Sequence, residues 1–303
     1  MSIIQKFKNI EWSKFDFDHA IMGLKLAFIS LMTVFVTATS DISKRLGFFF
    51  SIHSWVMFTL NTFSHRKKMR ITGDRLREDD RAIIVSNHYG DADWYYLFSL
   101  LNKQVENIAP IMITKKEVFK IPLFSGLARQ LGWPMITRSD REKDTRALAR
   151  AAKRSKGAWP VMFLEGYVYN EPHLRESTEL RKKLNLPVAE HVLLPRIAGL
   201  HTLLDKGDYN CIYDVTMSYE GYKGGFHDPS KEETPTFKNF LLSKHEGCVV
   251  MHIQRRELPS PKLKKNWTTE EITNMINSWW EEKDMRLEKF IQTGKMVEEE
   301  KKE

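Results

Sequence analysis

The sequence predicts an α/β fold, a mostly parallel sheet flanked by helices, behind an N-terminal two-helix membrane segment. Three observations carry that expectation. From about residue 69 onward, short β-branched apolar runs alternate with stretches of helical periodicity. A histidine and two aspartates stand between one such run and the helical pattern after it, where an α/β sheet presents its site. Residues 20–39 are nearly all apolar or small, long enough to cross a bilayer.

Lys25 interrupts that first apolar stretch, and residues 46–60 form a shorter one containing His53, suited to a tilted or re-entrant helix. The alternative is an amphipathic hairpin buried in a soluble protein, since Lys25 weakens a span. A cleaved signal peptide fits poorly, because the apolar run starts late and exceeds the usual core. His65-Arg66-Lys67-Lys68 follows the second stretch, whereas the connection holds only Asp41, Lys44 and Arg45 as charges. With two crossings, the positive-inside bias puts the N-terminus and the main domain in the cytosol. The expected division is a membrane-associated hairpin over 1–64, an α/β domain over 65–295 and a charged tail over 296–303.

Within the main domain, residues 69–74 read as a short strand and turn, and Arg81-Ala82-Ile83-Ile84-Val85 as a buried strand. Residues 94–101 open a helix, and 109–113 form a second apolar run. Leu123, Leu127 and Leu131 share a helical face that starts near Pro122. Residues 135–137 are a candidate strand, 140–156 a charged helix and 160–164 another strand. A helix over 173–184 ends at Leu186-Pro187. Residues 212–219 and 249–254 alternate as strands. The last helix starts at Thr268 and carries Ile272, Met275, Ile276, Trp279 and Trp280 at helical spacing, a face suited to packing on the sheet.

A net charge of +8 suits an anionic partner, and with no basic nucleic-acid motif a lipid surface is favoured. Cys211 and Cys248 stand far apart without His partners at ligand spacing, so neither a disulfide framework nor a zinc site follows.

The junction Ser86-Asn87-His88-Tyr89-Gly90-Asp91-Ala92-Asp93 admits two readings. In one, Asp93 holds the His88 imidazole in a single tautomer and frees its other nitrogen to accept a proton. In the other, Asp91 or Asp93 caps the following helix and His88 is a loop residue. Three later stretches favour the first: Gly132-Trp133-Pro134-Met135-Ile136-Thr137-Arg138, Phe163-Leu164-Glu165-Gly166-Tyr167 and Val192-Leu193-Leu194-Pro195-Arg196. With Asn87, His88 and Asp93, their order and spacing over about residues 60–290 resemble the glycerolipid acyltransferase family. The resemblance looks nearest to the branch holding lysocardiolipin and lysophosphatidylinositol acyltransferases.

The resemblance implies transfer of an acyl chain from acyl-coenzyme A to the hydroxyl of a lysophospholipid at a membrane, and the expected membrane is the endoplasmic reticulum. No cofactor beyond the acyl-coenzyme A co-substrate is implied. It makes His88 and Asp93 catalytic, and assigns substrate binding to Asn87, Arg138, Glu165, Gly166, Pro195 and Arg196. Direct attack by the acceptor hydroxyl is expected, because no Cys or Ser stands as an obvious nucleophile. Arg138 suits a phosphate, since guanidinium pairs bidentately with its oxygens; an ion pair with Asp140 or Glu142 is the plain alternative. Arg196 is a second phosphate candidate, with Glu190 as its plain alternative partner. The chain departs from the family pattern at Leu164, where a proline is usual, and at Tyr167-Val168, where Thr and, in one branch, Arg are usual. Those departures point to an altered acceptor preference. A catalytically silent lipid-binding or scaffolding member of the same fold is the alternative, supported only by the altered third block.

Overall fold

The computed structural model describes residues 69–105, 108–116, 128, 132–154, 157–224, 248–259 and 267–297. The expected membrane hairpin over 1–64, the helical face of Leu123, Leu127 and Leu131, and the end of the tail lie outside the described residues. Among the described residues, no helix is long and apolar enough to cross a membrane.

The strands are β1 (Met69–Gly73), β2 (Ala82–Ser86), β3 (Ala109–Met112), β4 (Thr114–Lys115), β5 (Met135–Ile136), β6 (Ala158–Phe163), β7 (Cys211–Tyr219) and β8 (Val249–Glu257). The helices are α1 (Asp93–Gln104), α2 (Arg141–Ala152), α3 (Glu171–Lys183), α4 (Ala198–Lys206) and α5 (Thr269–Thr293). Six strands form one sheet in the order β1-β8-β7-β2-β6-β3. Its pairings are parallel except between β7 and β8, so the expected mostly parallel sheet is what forms. β5 lies outside it, paired with β4 in a separate two-stranded ribbon.

Burial explains the choice of strands. Every residue of β2 and of β7 is buried, the pattern of a strand covered on both faces. β2 sits in the middle, with β7 and β6 on either side in parallel register. The carboxyl ends of β2, β6 and β7 therefore open at one edge, where the loops carrying Asn87-His88 and Glu165-Gly166 emerge.

α5 is the longest helix among the described residues. Thr268 caps it through a reciprocal capping box with Glu271, and Gly294 ends it in a left-handed turn. Its buried face, with Ile276, Trp280, Lys283 and Leu287, lies against β7, as its apolar spacing predicts. α4 went unread in the sequence. Its buried Leu200, Leu203 and Leu204 follow helical spacing, but over only nine residues after a proline.

Candidate active site

β2 ends at Ser86, level with Phe163 of β6 and Val215 of β7. The next residue continues the ladder with its side chain: Asn87 Nδ2 donates to the Met217 carbonyl, and its Oδ1 accepts from the Met217 N–H, both at 2.8 Å. Asn87 is 1% exposed, so its amide positions the strand end and does not reach a ligand. That revises its expected place among the substrate contacts.

His88 follows, and its ring stacks on Phe163 with centroids 4.0 Å apart and planes 12° from parallel. His88 Nδ1 lies 2.9 Å from Asp93 Oδ2. That same oxygen accepts the backbone N–H of Tyr89 at 2.6 Å and of Gly90 at 2.9 Å. Asp93 Oδ1 accepts from the Tyr219 hydroxyl. The carboxylate is fully buried, while the His88 side chain keeps 17% of its surface open. Backbone amides can only donate, so Oδ2 is an acceptor for all its neighbours and Nδ1 carries a hydrogen. Nε2 is then the acceptor nitrogen. The Tyr219 phenol is pushed well above its usual range, by burial first and then by Asp93, so it stays a donor.

Helix capping does not account for Asp93. The N-cap of α1 is Ala92, which makes no side-chain cap, and Asp93 turns back onto the loop instead. Asp91 is exposed. The Tyr89 and Gly90 amides are committed to Asp93 and are not free to hold an oxyanion.

Behind the loop lies a second buried layer. Glu165 is 2% exposed, and its Oε1 accepts a long 3.4 Å bond from Trp280 Nε1. Its Oε2 makes no hydrogen bond of normal geometry, although the Leu193 and His88 backbone amides lie near enough to favour the charge. Burial outweighs them and pushes the carboxyl well above the ordinary range. Lys283, fully buried, donates to Asp214 at 2.7 Å and to the Val215 carbonyl at 2.6 Å. Glu165 therefore supports the His88 loop from within, and its expected contact with substrate is revised. Pro195 is also buried, and the neighbouring Arg196 N–H donates to the Leu164 carbonyl at 2.7 Å. That segment braces the end of β6.

The remaining candidates meet at one corner. Arg138 has φ of 62°, in the left-handed region that costs a non-glycine residue about 1–3 kcal/mol. The Asp144 carboxylate holds it there by accepting the N–H groups of Thr137 and Arg138, each at 2.8 Å. Arg138 Nη2 donates to the Gly166 carbonyl. Gly166 has φ of 72°, and a Cβ there would stand 2.8 Å from Arg138 Nη2, so only glycine fits this approach. The plain alternatives for Arg138 do not form: Asp140 accepts from the Lys143 N–H, and Glu142 pairs with Arg146. Nor does Arg196 reach Glu190; it lies 3.9 Å from Glu176.

Four side chains that sequence reasoning missed complete the site: Phe163, Tyr219, Tyr167 and Lys115. Phe163 and Tyr219 had a visible signal, since each ends a strand level with the His88 loop. Lys115 had none, being set by the β4–β5 ribbon. Elsewhere, Glu190, His191 and Glu288 bring ligand atoms within 4.8 Å of one another, but His191 Nε2 is already 2.6 Å from Glu288. Cys211 and Cys248 are free thiols.

An imidazole oriented by a buried carboxylate at the strand ends of an α/β sheet is a device for moving a proton, and here a basic corner closes the same sheet edge. Residues 68–208 match the family model described as Acyltransferase. A probable 1-acyl-sn-glycerol-3-phosphate acyltransferase 5 from Arabidopsis thaliana is 27% identical over 265 residues, covering 83% of this chain and 64% of that protein. 1-acyl-sn-glycerol-3-phosphate acyltransferase epsilon from Mus musculus is 27% identical, covering 72% of this chain and 60% of the relative. Lysocardiolipin acyltransferase 1 from Mus musculus is 24% identical, covering 74% and 58%. The aligned part is thus under two thirds of the length of each of these three relatives. A crystal structure of the 1-acyl-sn-glycerophosphate (LPA) acyltransferase PlsC from Thermotoga maritima aligns over 88% of this chain and 98% of that one, at 16% identity and a TM-score of 0.47. Residues 68–208 thus resemble an acyltransferase domain, and the chain is similar to glycerolipid acyltransferases.

Proposed function

We propose that the protein transfers an acyl chain from acyl-coenzyme A to the free hydroxyl of a lysophospholipid, with His88 as general base and Asp93 orienting it. The observation that carries this reading is the His88 Nδ1 contact of 2.9 Å to a fully buried carboxylate, which leaves Nε2 to accept a proton. The hydroxyl oxygen attacks the thioester carbonyl while its proton passes to His88 Nε2. The C–S bond then breaks, and the coenzyme A thiolate recovers that proton from His88. The ester forms, and the enzyme returns to its starting state. A positioned base contributes about 10²–10⁴-fold, so alignment of the two substrates must contribute as well.

Direct attack is favoured over an acyl-enzyme. Cys211 pairs with Ala82 at the amino end of β2, and burial pushes its thiol up to about 12. The Ser86 hydroxyl is fully buried inside the sheet. Arg138 and Arg196, at the basic corner, hold the acceptor's phosphate. Coenzyme A enters as co-substrate, with no further cofactor in the scheme. The relatives' names supply the acceptor class, a glycerol-based lysophospholipid.

The same reading makes residues 1–64 the membrane anchor and leaves the catalytic domain on the cytosolic face, supported by the apolar runs and the basic residues 65–68. Its address is the endoplasmic reticulum. Mass spectrometry of products from a lysolipid panel offered with one acyl-coenzyme A tests the activity. A diacyl product dependent on His88 is expected, and no product from any lysophospholipid would overturn the reading. An acceptor site for glycosylation added after Val297 should stay unmodified in a eukaryotic host, whereas a glycan there would reverse the topology.

A further inference from the structure

The basic corner is organised around a ring. Lys115 Nζ lies 4.3 Å from the Tyr167 centroid, and the guanidinium carbons of Arg138 and Arg196 each lie 4.7 Å from it. His173 stacks on the same ring at 4.1 Å, 21° from parallel. These groups come from four separate places: β4, the turn after β5, the segment before α4 and the first turn of α3. Three cations gathered within about a Debye length repel one another, and the negative π-face offsets that repulsion. Arg138 makes no ion pair with a described carboxylate, and Glu176 stands 3.9 Å from Arg196. The backbone contributes too, through the left-handed Arg138 held by Asp144 and the glycine that admits its guanidinium.

Tyr167 is also where this chain departs from the usual family block, and the Arg found in one branch is Val168 here. Three cations held about one point suit a ligand carrying two negative charges on one phosphorus. A phosphomonoester meets that condition above its second pKa near 6, whereas a phosphodiester carries a single charge.

We propose that Tyr167 is the positioning residue of the acceptor site: its ring assembles Lys115, Arg138 and Arg196 into a seat for a dianionic phosphomonoester in preference to a phosphodiester headgroup. The inference rests on the lysophospholipid reading above. Coenzyme A also carries a phosphomonoester, so the acceptor and donor arms are measured separately.

The experiment compares full-length wild type, Tyr167→Leu and Tyr167→Phe in detergent. Calorimetry measures binding of glycerol 3-phosphate and of glycerophosphoinositol, and steady-state kinetics give KM for 1-acylglycerol 3-phosphate and for acyl-coenzyme A. Tyr167→Leu is expected to weaken glycerol 3-phosphate binding and to raise acceptor KM by roughly tenfold, with kcat and the acyl-coenzyme A KM nearly unchanged. Tyr167→Phe keeps the ring and should restore most of that affinity. Wild type should bind the monoester more tightly than the diester, and that preference should shrink as pH falls below about 6. Equal binding by the Leu and Phe variants, equal affinity for the two phosphates, or a shift in the acyl-coenzyme A KM alone would overturn the inference. Intact glycerol 3-phosphate binding without turnover of any lysophospholipid would instead overturn the proposed reaction. Circular dichroism on each variant separates lost binding from lost fold, and Arg196→Gln repeats the test with the ring intact.

Discussion

The two ends of β2 each carry a buried aspartate that accepts from a β7 tyrosine, yet the two serve different purposes. At the amino end, Asp80 is 3% exposed and bonds the Tyr213 hydroxyl, Asn210 Nδ2 and the Arg255 guanidinium at 2.7 and 2.8 Å. At the carboxyl end, Asp93 bonds the Tyr219 hydroxyl, two backbone amides and His88. The difference is the partner. Arg255 is a permanent cation, so the Asp80 pair is closed and holds strands together. His88 is an imidazole whose outer nitrogen can take up and release a proton, so the Asp93 pair is open. A buried carboxylate alone does not identify a site. What it faces does.

The comparison breaks most visibly at His88. His88→Ala should lower kcat by about 10²–10⁴-fold in a protein that still folds, measured by product formation under saturating substrates. Asp93→Asn should follow closely, since an amide at this position no longer enforces the tautomer. At the other end the effect should move from rate to stability. Asp80→Asn takes the buried carboxylate from a partly buried Arg255, which keeps Glu257 at 2.7 Å, and should cost about 1–3 kcal/mol in denaturant melts, with kcat per folded molecule unchanged. Burial works to raise the Asp80 carboxyl, but Arg255 and Tyr213 hold it below the usual range. A depressed folded value means stability that is present above about pH 3.9 and lost as pH falls, so acid unfolding should be less steep in Asp80→Asn than in wild type.

Smaller effects sharpen the picture. Arg138→Ala should raise acceptor KM by about ten- to a hundredfold with little change in acyl-coenzyme A KM, and Arg138→Lys should recover part of it, lacking the planar fork. Glu165→Gln should be the mildest. Its folded carboxyl is raised by burial, so wild type is most stable below about pH 4.3 and loses that term as pH rises. The variant removes the penalty, and its Tm should exceed wild type's by about 2–4 °C at pH 7 and match it near pH 4.

The ends of β2 also mark what a single sequence discloses. Strands β2, β6, β7 and β8 and helix α5 were legible because buried strands need apolar β-branched runs and a long helix repeats its face. His88 and Asp93 were legible because their contact spans five residues of one loop. Tyr219 reaches Asp93 across 126 residues, and no local pattern encodes a meeting at that distance. The basic corner was half legible: Arg138 and Arg196 stood out as cations near the site, but Tyr167 and Lys115 acquire a role only when β4, β6 and α3 are brought together. Asn87 and Glu165 lie in the loops beside His88 with buried side chains, and that burial was not legible because it follows from the sheet register and not from neighbours in sequence.

The most direct test of the central claim is the pH dependence of kcat over KM for acyl transfer, measured for wild type, Asp93→Asn and His88→Ala, each first shown to be folded. An oriented imidazole base predicts a rate that rises with pH through one ionisation that depends on His88. It predicts that Asp93→Asn lowers the plateau by orders of magnitude, and that His88→Ala leaves a low rate without that ionisation. A His88→Ala protein that turns over near the wild-type rate with the same pH profile would contradict the account.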